Sequence, residues 1–262
     1  MRKLKRHSDF EVKLEIKNDE FVRPPRESQR HWLLNSFMSE WSSDLLELNE
    51  AARQFVPGAE AVVELDRMDS DLGDADIMED WMVPLMVAMV EEVAAPGKSI
   101  LEIGFGRGVS SDLIQQRGVG RHVIIECNPS VIERCDRWKE RYADRQIEIV
   151  PGLWEDTISS LGKFDGIFFH TYPLSEDEVY ERVHQASTFA EHFFDSAIEH
   201  LVDGGRFTYM TSERNSLSRG HQRALLKRFS RVQLRLLEGL VPPPDTRDAM
   251  CWQETVVVAA TR

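Results

Sequence analysis

The segment Leu101-Glu102-Ile103-Gly104-Phe105-Gly106-Arg107-Gly108 constrains the fold more than any other part of the chain. A short apolar run, Ser99–Ile103, ends in three glycines at alternate positions, and a helical pattern opens at Ser110. Glycine serves where a chain must turn sharply and let a ligand approach its backbone. The helix that follows presents free N–H groups and the positive end of its dipole. About 20 residues farther on, at the end of the next apolar run, stands Glu126, the position of a carboxylate that accepts from ribose hydroxyls. Strand, glycine loop, helix, strand and acid in this register imply a nucleotide-type ligand held at the edge of an open α/β sheet.

The rest of the sequence supports that sheet. Strands are expected at His122–Glu126, Gln146–Val150, Phe164–Phe169 and Arg206–Met210, and helices at Ile77–Ala94, Ser110–Gln116, Val131–Tyr142, Ser187–Leu201 and Leu217–Phe229. Alternating β and α units make a mostly parallel sheet with helices on both faces. Val232–Leu240 and Glu254–Ala260 follow with no helix between them, so they are expected to close the sheet as an antiparallel pair. The segment 1–76 reads as a separate extension, with a short alternating run at Phe10–Ile16, a break at Pro24-Pro25 and helical apolar spacing across 29–54. Its Trp32, Trp41 and Phe55 suit a lid over the site or the surface of a homodimer. The division expected is therefore 1–76, an N-terminal helical lid, and 77–262, the sheet domain.

Composition excludes several classes. A formal net charge of −13 over 262 residues argues against a nucleic-acid binder, which needs clustered Lys and Arg. The basic start MRKLKR reads as a solvated terminus. No apolar run approaches the ~20 residues of a membrane span, and nothing at the N-terminus reads as a signal peptide. Cys127, Cys135 and Cys251 show no metal-ligand spacing, and sparse free thiols suit the reducing cytoplasm.

The loop pattern E-x-G-x-G-x-G differs from the G-x-G-x-x-G of dinucleotide sites by Glu102, two residues before the first glycine. In methyltransferase-like loops that acid helps hold the loop and the charged methionyl end of S-adenosylmethionine (SAM). A third segment, Gly152-Leu153-Trp154-Glu155-Asp156, offers a Trp face for a purine and a carboxylate for its exocyclic amine. Taken together, Leu101–Gly106, Ile124–Asn128, Gly152–Asp156, Phe164–Ile167, Thr171-Tyr172-Pro173-Leu174-Ser175, Asp203–Gly205 and Leu240–Pro243 resemble the guanidinoacetate N-methyltransferases, to which the arginine δ-N-methyltransferases are related. The resemblance runs from about Ile77 to the C-terminus. It implies a Rossmann-like class I methyltransferase fold with a seven-stranded sheet. It also implies SAM contacts from Phe105, Gly106, Arg107, Gly108, Val109 and Ser110, from Glu126, Cys127 and Asn128, and from Trp154 and Glu155. Met78 and Met86 match apolar positions lining the site.

The sequence departs from that family at two positions. The family's guanidine pocket takes one carboxylate from a motif like W-E-x-P-x-M, which here reads Trp81-Met82-Val83-Pro84-Leu85-Met86, and another just before T-Y-P-L, which here is His170. A buried guanidinium needs charge-assisted partners, and Met82 supplies none. Guanidinoacetate is therefore not the expected substrate. Met82, Met86, Tyr172 and Glu213 are the expected acceptor contacts, and His170 is the expected base or orienting acceptor. Three readings of function stay open: N-methylation of a small molecule or peptide at an amine, guanidine-like or heteroaromatic nitrogen, with secondary metabolism the expected setting; O-methylation with His170 as base; or a SAM-binding partner without catalysis.

Overall fold

The computed structural model describes residues 16–17, 71–175, 178, 182, 186–243 and 253–262. Trp32, Trp41 and Phe55, expected as a lid or the surface of a homodimer, lie outside these described residues. Ile16–Lys17 (β1) is all that is described of the expected N-terminal strand.

The parallel strands are β2 Ser99–Ile103, β3 Arg121–Glu126, β4 Ile147–Pro151, β5 Phe164–Phe169 and β6 Leu201–Thr211. β7 Arg231–Glu238 and β8 Glu254–Thr261 complete the sheet. The helices are α1 Asp74–Ile77, α2 Val83–Val93, α3 Val109–Gln116, α4 Pro129–Lys139, α5 Trp154–Thr157, α6 Phe194–His200 and α7 Arg219–Leu226. Strand order is β1-β7-β8-β6-β5-β2-β3-β4, a seven-stranded sheet with β1 added at one edge. β2 pairs in parallel with both β3 and β5, and β8 runs antiparallel between β6 and β7. This is the Rossmann-like, seven-stranded architecture that the resemblance implies, with the expected antiparallel pair at its end.

The central strands are apolar toward both faces because helices cover both. On one face Phe164, Phe169, Phe193, Phe194, Phe207, Tyr209 and Phe229 form an aromatic core under α6 and α7. On the other, Met86, Met89, Val90 and Val93 of α2 pack on Ile100, Phe168 and Val257. α2 rides close to β5: a Cβ at Gly166 would lie 2.7 Å from the Val93 carbonyl oxygen.

Three elements differ from the sequence expectation. The helix expected over Ile77–Ala94 is α1, a 3-10 turn at Asp80–Met82, and α2. Glu79 is extended and Pro84 sits in the first turn of α2, where a missing N–H costs nothing. The helix expected over Ser187–Leu201 is a 3-10 turn, Phe189–Phe193, followed by the short α6. The turn Asp203-Gly204-Gly205 falls inside β6 and not before it. Gly204 takes a φ of 76°, and the register against β5 slips between Phe164 and Gly166, so the turn is absorbed as an irregularity. No helix among the described residues is long and apolar enough to cross a membrane.

Candidate active site

In an open α/β sheet, ligands bind beyond the carboxyl ends of the strands, where the strand order reverses. Here that point is β2, whose neighbours β3 and β5 lead away in opposite directions. An open cavity lies there. Its walls come from the loop after β2, the ends of β3 and β4, the residues after β5, and Leu72, Ile77, Met78 and Met86.

The glycine loop is shaped as its sequence requires. Gly104, Gly106 and Gly108 have φ of 85°, 56° and 78°, and Gly108 is the left-handed N-cap of α3. A Cβ at Gly108 would stand 2.6 Å from the Phe105 ring, and one at Gly106 would stand 3.1 Å from Ile77. The loop is tied to β3 by Glu126, which accepts from the amides of Phe105 (2.8 Å), Cys127 (2.9 Å) and Asn128 (3.0 Å). Asn128 caps α4, its Oδ1 accepting from the amides of Ser130 and Val131. Arg107 reaches out of the loop to donate to the Met78 carbonyl and to pair with Asp80, both at 2.8 Å. Residues 78–80 are thereby tethered above the loop.

The structure brings most of the expected residues onto this cavity: Met78, Met86, Phe105, Gly104, Gly106, Arg107, Val109 and Ser110, then Glu126, Cys127, Asn128, Trp154, Glu155, His170 and Tyr172. Four others stand off its wall. Gly108 supports the turn from behind Phe105. Glu102 is fully buried beneath the loop, accepting from Ser110 and Ser111 Oγ and from His122 Nε2. It holds the start of α3, and its carboxylate is engaged there and does not line the cavity. Met82 lies under Tyr172, whose hydroxyl is 3.7 Å from the Met82 sulfur. Glu213 turns away to His221 Nδ1 (2.6 Å) and the Ser218 amide (3.0 Å), and His221 continues the chain of hydrogen bonds to the Tyr209 hydroxyl. The second pair of substrate positions, Met86 and Tyr172, remains on the wall.

Several wall residues were not singled out from the sequence: Glu178, Arg182, Phe189 and His192. Arg182 pairs with Glu155 (3.1 Å) and Glu178 (3.2 Å), joining the β4 loop to the segment after β5. Glu178 also accepts from the Leu174 amide. Trp154 meets Phe193 edge to face at 4.8 Å between ring centres, and His192 at 5.6 Å. Acid, base and aromatic residues at irregular spacing in a connecting segment carry no periodic signal, so only the fold assembles them.

Two histidines face the cavity and both are held neutral. Burial lowers the pKa of His170 to about 4. Burial, helped by the Arg182 charge, does the same for His192. Burial and the Glu126 carboxylate raise Cys127 to about 12, which leaves it an inert thiol.

The family model for guanidinoacetate N-methyltransferase matches residues 48–241. The chain belongs to the guanidinoacetate N-methyltransferase family. It is accordingly a methyltransferase, and its cofactor is SAM. Its sequence is 28% identical over 159 residues to protein arginine N-methyltransferase 2 of Gibberella zeae, covering 54% of this chain and 33% of that one. It is 34% identical over 108 residues to protein arginine N-methyltransferase 2 of Saccharomyces cerevisiae, covering 37% of this chain and 26% of that one. The match thus spans a third or less of those relatives' length. Among solved structures, N-methyltransferase NodS from Bradyrhizobium japonicum WM9 superposes with a TM-score of 0.48 at 13% identity, over 69% of this chain and 93% of that one. The precorrin-6y C5,15-methyltransferase of Geobacter metallireducens GS-15 gives 0.49 at 12%, over 71% and 91%.

The residues present fit that cofactor. The loop leaves no side chain where Gly104 and Gly106 border the cavity, Glu126 is fixed at its floor by three amides, and Trp154 supplies an aromatic wall.

Proposed function

We propose that the protein transfers the methyl group of SAM to an uncharged amine or heteroaromatic nitrogen of a small molecule, and that guanidinoacetate is a poor acceptor. The observation that carries this reading is the charge state of the cavity wall. His170 is neutral at pH 7, and each carboxylate on the described wall already has an internal partner. A guanidinium entering such a cavity would lose its hydration without gaining a free anion. A neutral nitrogen asks for no such compensation.

When bound, the cofactor supplies an electrophilic methyl carbon. The chain's task is to align a lone pair and manage one proton. Met86 and Tyr172 line the wall beside His170 and suit an apolar acceptor body. No described carboxylate hydrogen-bonds the His170 imidazole, so it is a weak base. A weak base suffices to orient or deprotonate a nitrogen and serves a hydroxyl poorly. That balance favours N- over O-methylation.

The test is a methyl-transfer assay with labelled SAM against a panel of acceptors. It should include arylamines, imidazoles and pyridines, phenols, guanidinoacetate, and arginyl peptides, the last because of the name the relatives carry. Product from the neutral nitrogen compounds, with little from guanidinoacetate or arginyl peptides, is the expected result. Turnover of either guanidine at a rate matching the best amine overturns the reading. It would mean that Glu178 or Glu155 gives up Arg182 to take the substrate.

A further inference from the structure

His192 has no role in the reading above, and no motif points to it. Its ring lies on the cavity wall between Trp154 (5.6 Å between centres), Phe189 (4.9 Å) and Phe169 (5.7 Å). Nδ1 is bonded to the Phe189 carbonyl oxygen, which can only accept. The proton therefore sits on Nδ1, and Nε2 carries the lone pair. Among the described residues nothing hydrogen-bonds Nε2. Burial keeps the ring neutral far below pH 7, so this tautomer persists under ordinary conditions. A single acceptor atom on an aromatic wall is a group that reads an N–H donor on a flat ligand.

The position of that wall identifies the ligand atom. Glu126, at the end of β3, fixes where the ribose lies, and Trp154 follows the adjacent strand β4, beyond it. The base then lies at the Trp154 end of the cavity. Glu155, the carboxylate that the sequence offers to the exocyclic amine, is engaged with Arg182. We infer that His192, through Nε2, accepts a hydrogen bond from the 6-amino group of the cofactor's adenine, and so selects adenine over 6-oxopurines. A 6-oxo group would set an oxygen lone pair against the nitrogen lone pair, which repel.

Calorimetry separates this role from packing. The probes are S-adenosylhomocysteine and S-inosylhomocysteine, and the proteins are the wild-type chain, His192→Phe and His192→Gln. The wild type should bind the adenosyl compound at least ~10-fold more tightly, the order expected for one hydrogen bond and one avoided clash. His192→Phe fills the same space without an acceptor. It should lose most of that preference by weakening the adenosyl compound alone. His192→Gln restores an acceptor and should recover part of it. If Phe weakens both compounds equally, His192 only packs, and the inference fails. It fails equally if the preference is unchanged in both variants. Because both probes lack the methyl group and no acceptor is present, the outcome is independent of what the enzyme methylates.

Discussion

Gly108→Ala probes the cofactor loop at its tightest point. Gly108 has a φ of 78°, and an added Cβ would stand 2.6 Å from the Phe105 ring, which is buried and packed edge-on against Trp138 at 5.4 Å. Left-handed backbone costs an L-residue about 1–2 kcal/mol. Displacing a packed ring costs about 1–3 kcal/mol more. The two together predict a stability loss of roughly 2–5 kcal/mol. Strain at Gly108 is passed to the loop whose Phe105 amide donates to Glu126, so cofactor affinity should fall as well, by at least ~10-fold if one such hydrogen bond is lost. Gly97→Ala is the matched control: its φ is 75°, nothing lies within 4 Å of its Cβ, and it is remote from the cavity. It should cost only the backbone strain of about 1–2 kcal/mol and leave binding unchanged. Urea unfolding and calorimetry with S-adenosylhomocysteine measure both. Equal costs for the two variants, or full binding by Gly108→Ala, would refute the argument that the glycine is needed for space as well as for φ.

Other outcomes follow from the same geometry. His170→Ala should lower kcat by roughly 10²-fold with binding of S-adenosylhomocysteine intact; the acidic limb of the rate profile should fall near pH 4 and vanish in His170→Asn. Since His170 and His192 are both lowered to about 4 from 6.5, the unfolded chain takes up their protons first as pH drops. Stability should therefore decline from pH 6.5 toward 4, and replacing both with Gln should flatten that slope in urea titrations. Glu126→Ala should weaken cofactor binding by about 1–3 kcal/mol and lower the urea midpoint, because three amides lose their acceptor. Glu213→Ala should cost about 1–3 kcal/mol of stability by orphaning the buried His221, with cofactor affinity unchanged; a weakened cofactor would bring Glu213 back to the site.

The parts of the molecule legible in the sequence are those whose signal is local. Phe164–Phe169 reads as a buried strand because its apolar run is bounded by Gly162 and Thr171-Tyr172-Pro173, and the structure has it at those residues. The glycine loop and Glu126 read together because one strand and one helix set their separation. Glu102 shows the boundary of that reasoning. Its place in the motif is visible, but whether its carboxylate meets a ligand depends on His122, Ser110 and Ser111, which come together only when β2, β3 and α3 pack. Glu213 is the same case, drawn off by His221 from α7. The break at Glu79 is invisible to periodicity, because Ile77, Met78, Trp81 and Met82 keep helical spacing across it.

The position of β8 has a consequence for how the chain is made. This strand is later in sequence than β7, yet it lies between β7 and β6 and pairs with both along nearly its whole length. During synthesis, β6 leaves the ribosome long before its neighbour exists. Its outer row of N–H and C=O groups, which β8 will cover, waits without a partner while β7 is translated. An open, apolar strand edge is a template for pairing with another nascent chain. Polysome crowding and slow elongation through the codons for 212–253 should therefore set the yield of native enzyme, and a chaperone that shields strand edges should raise it.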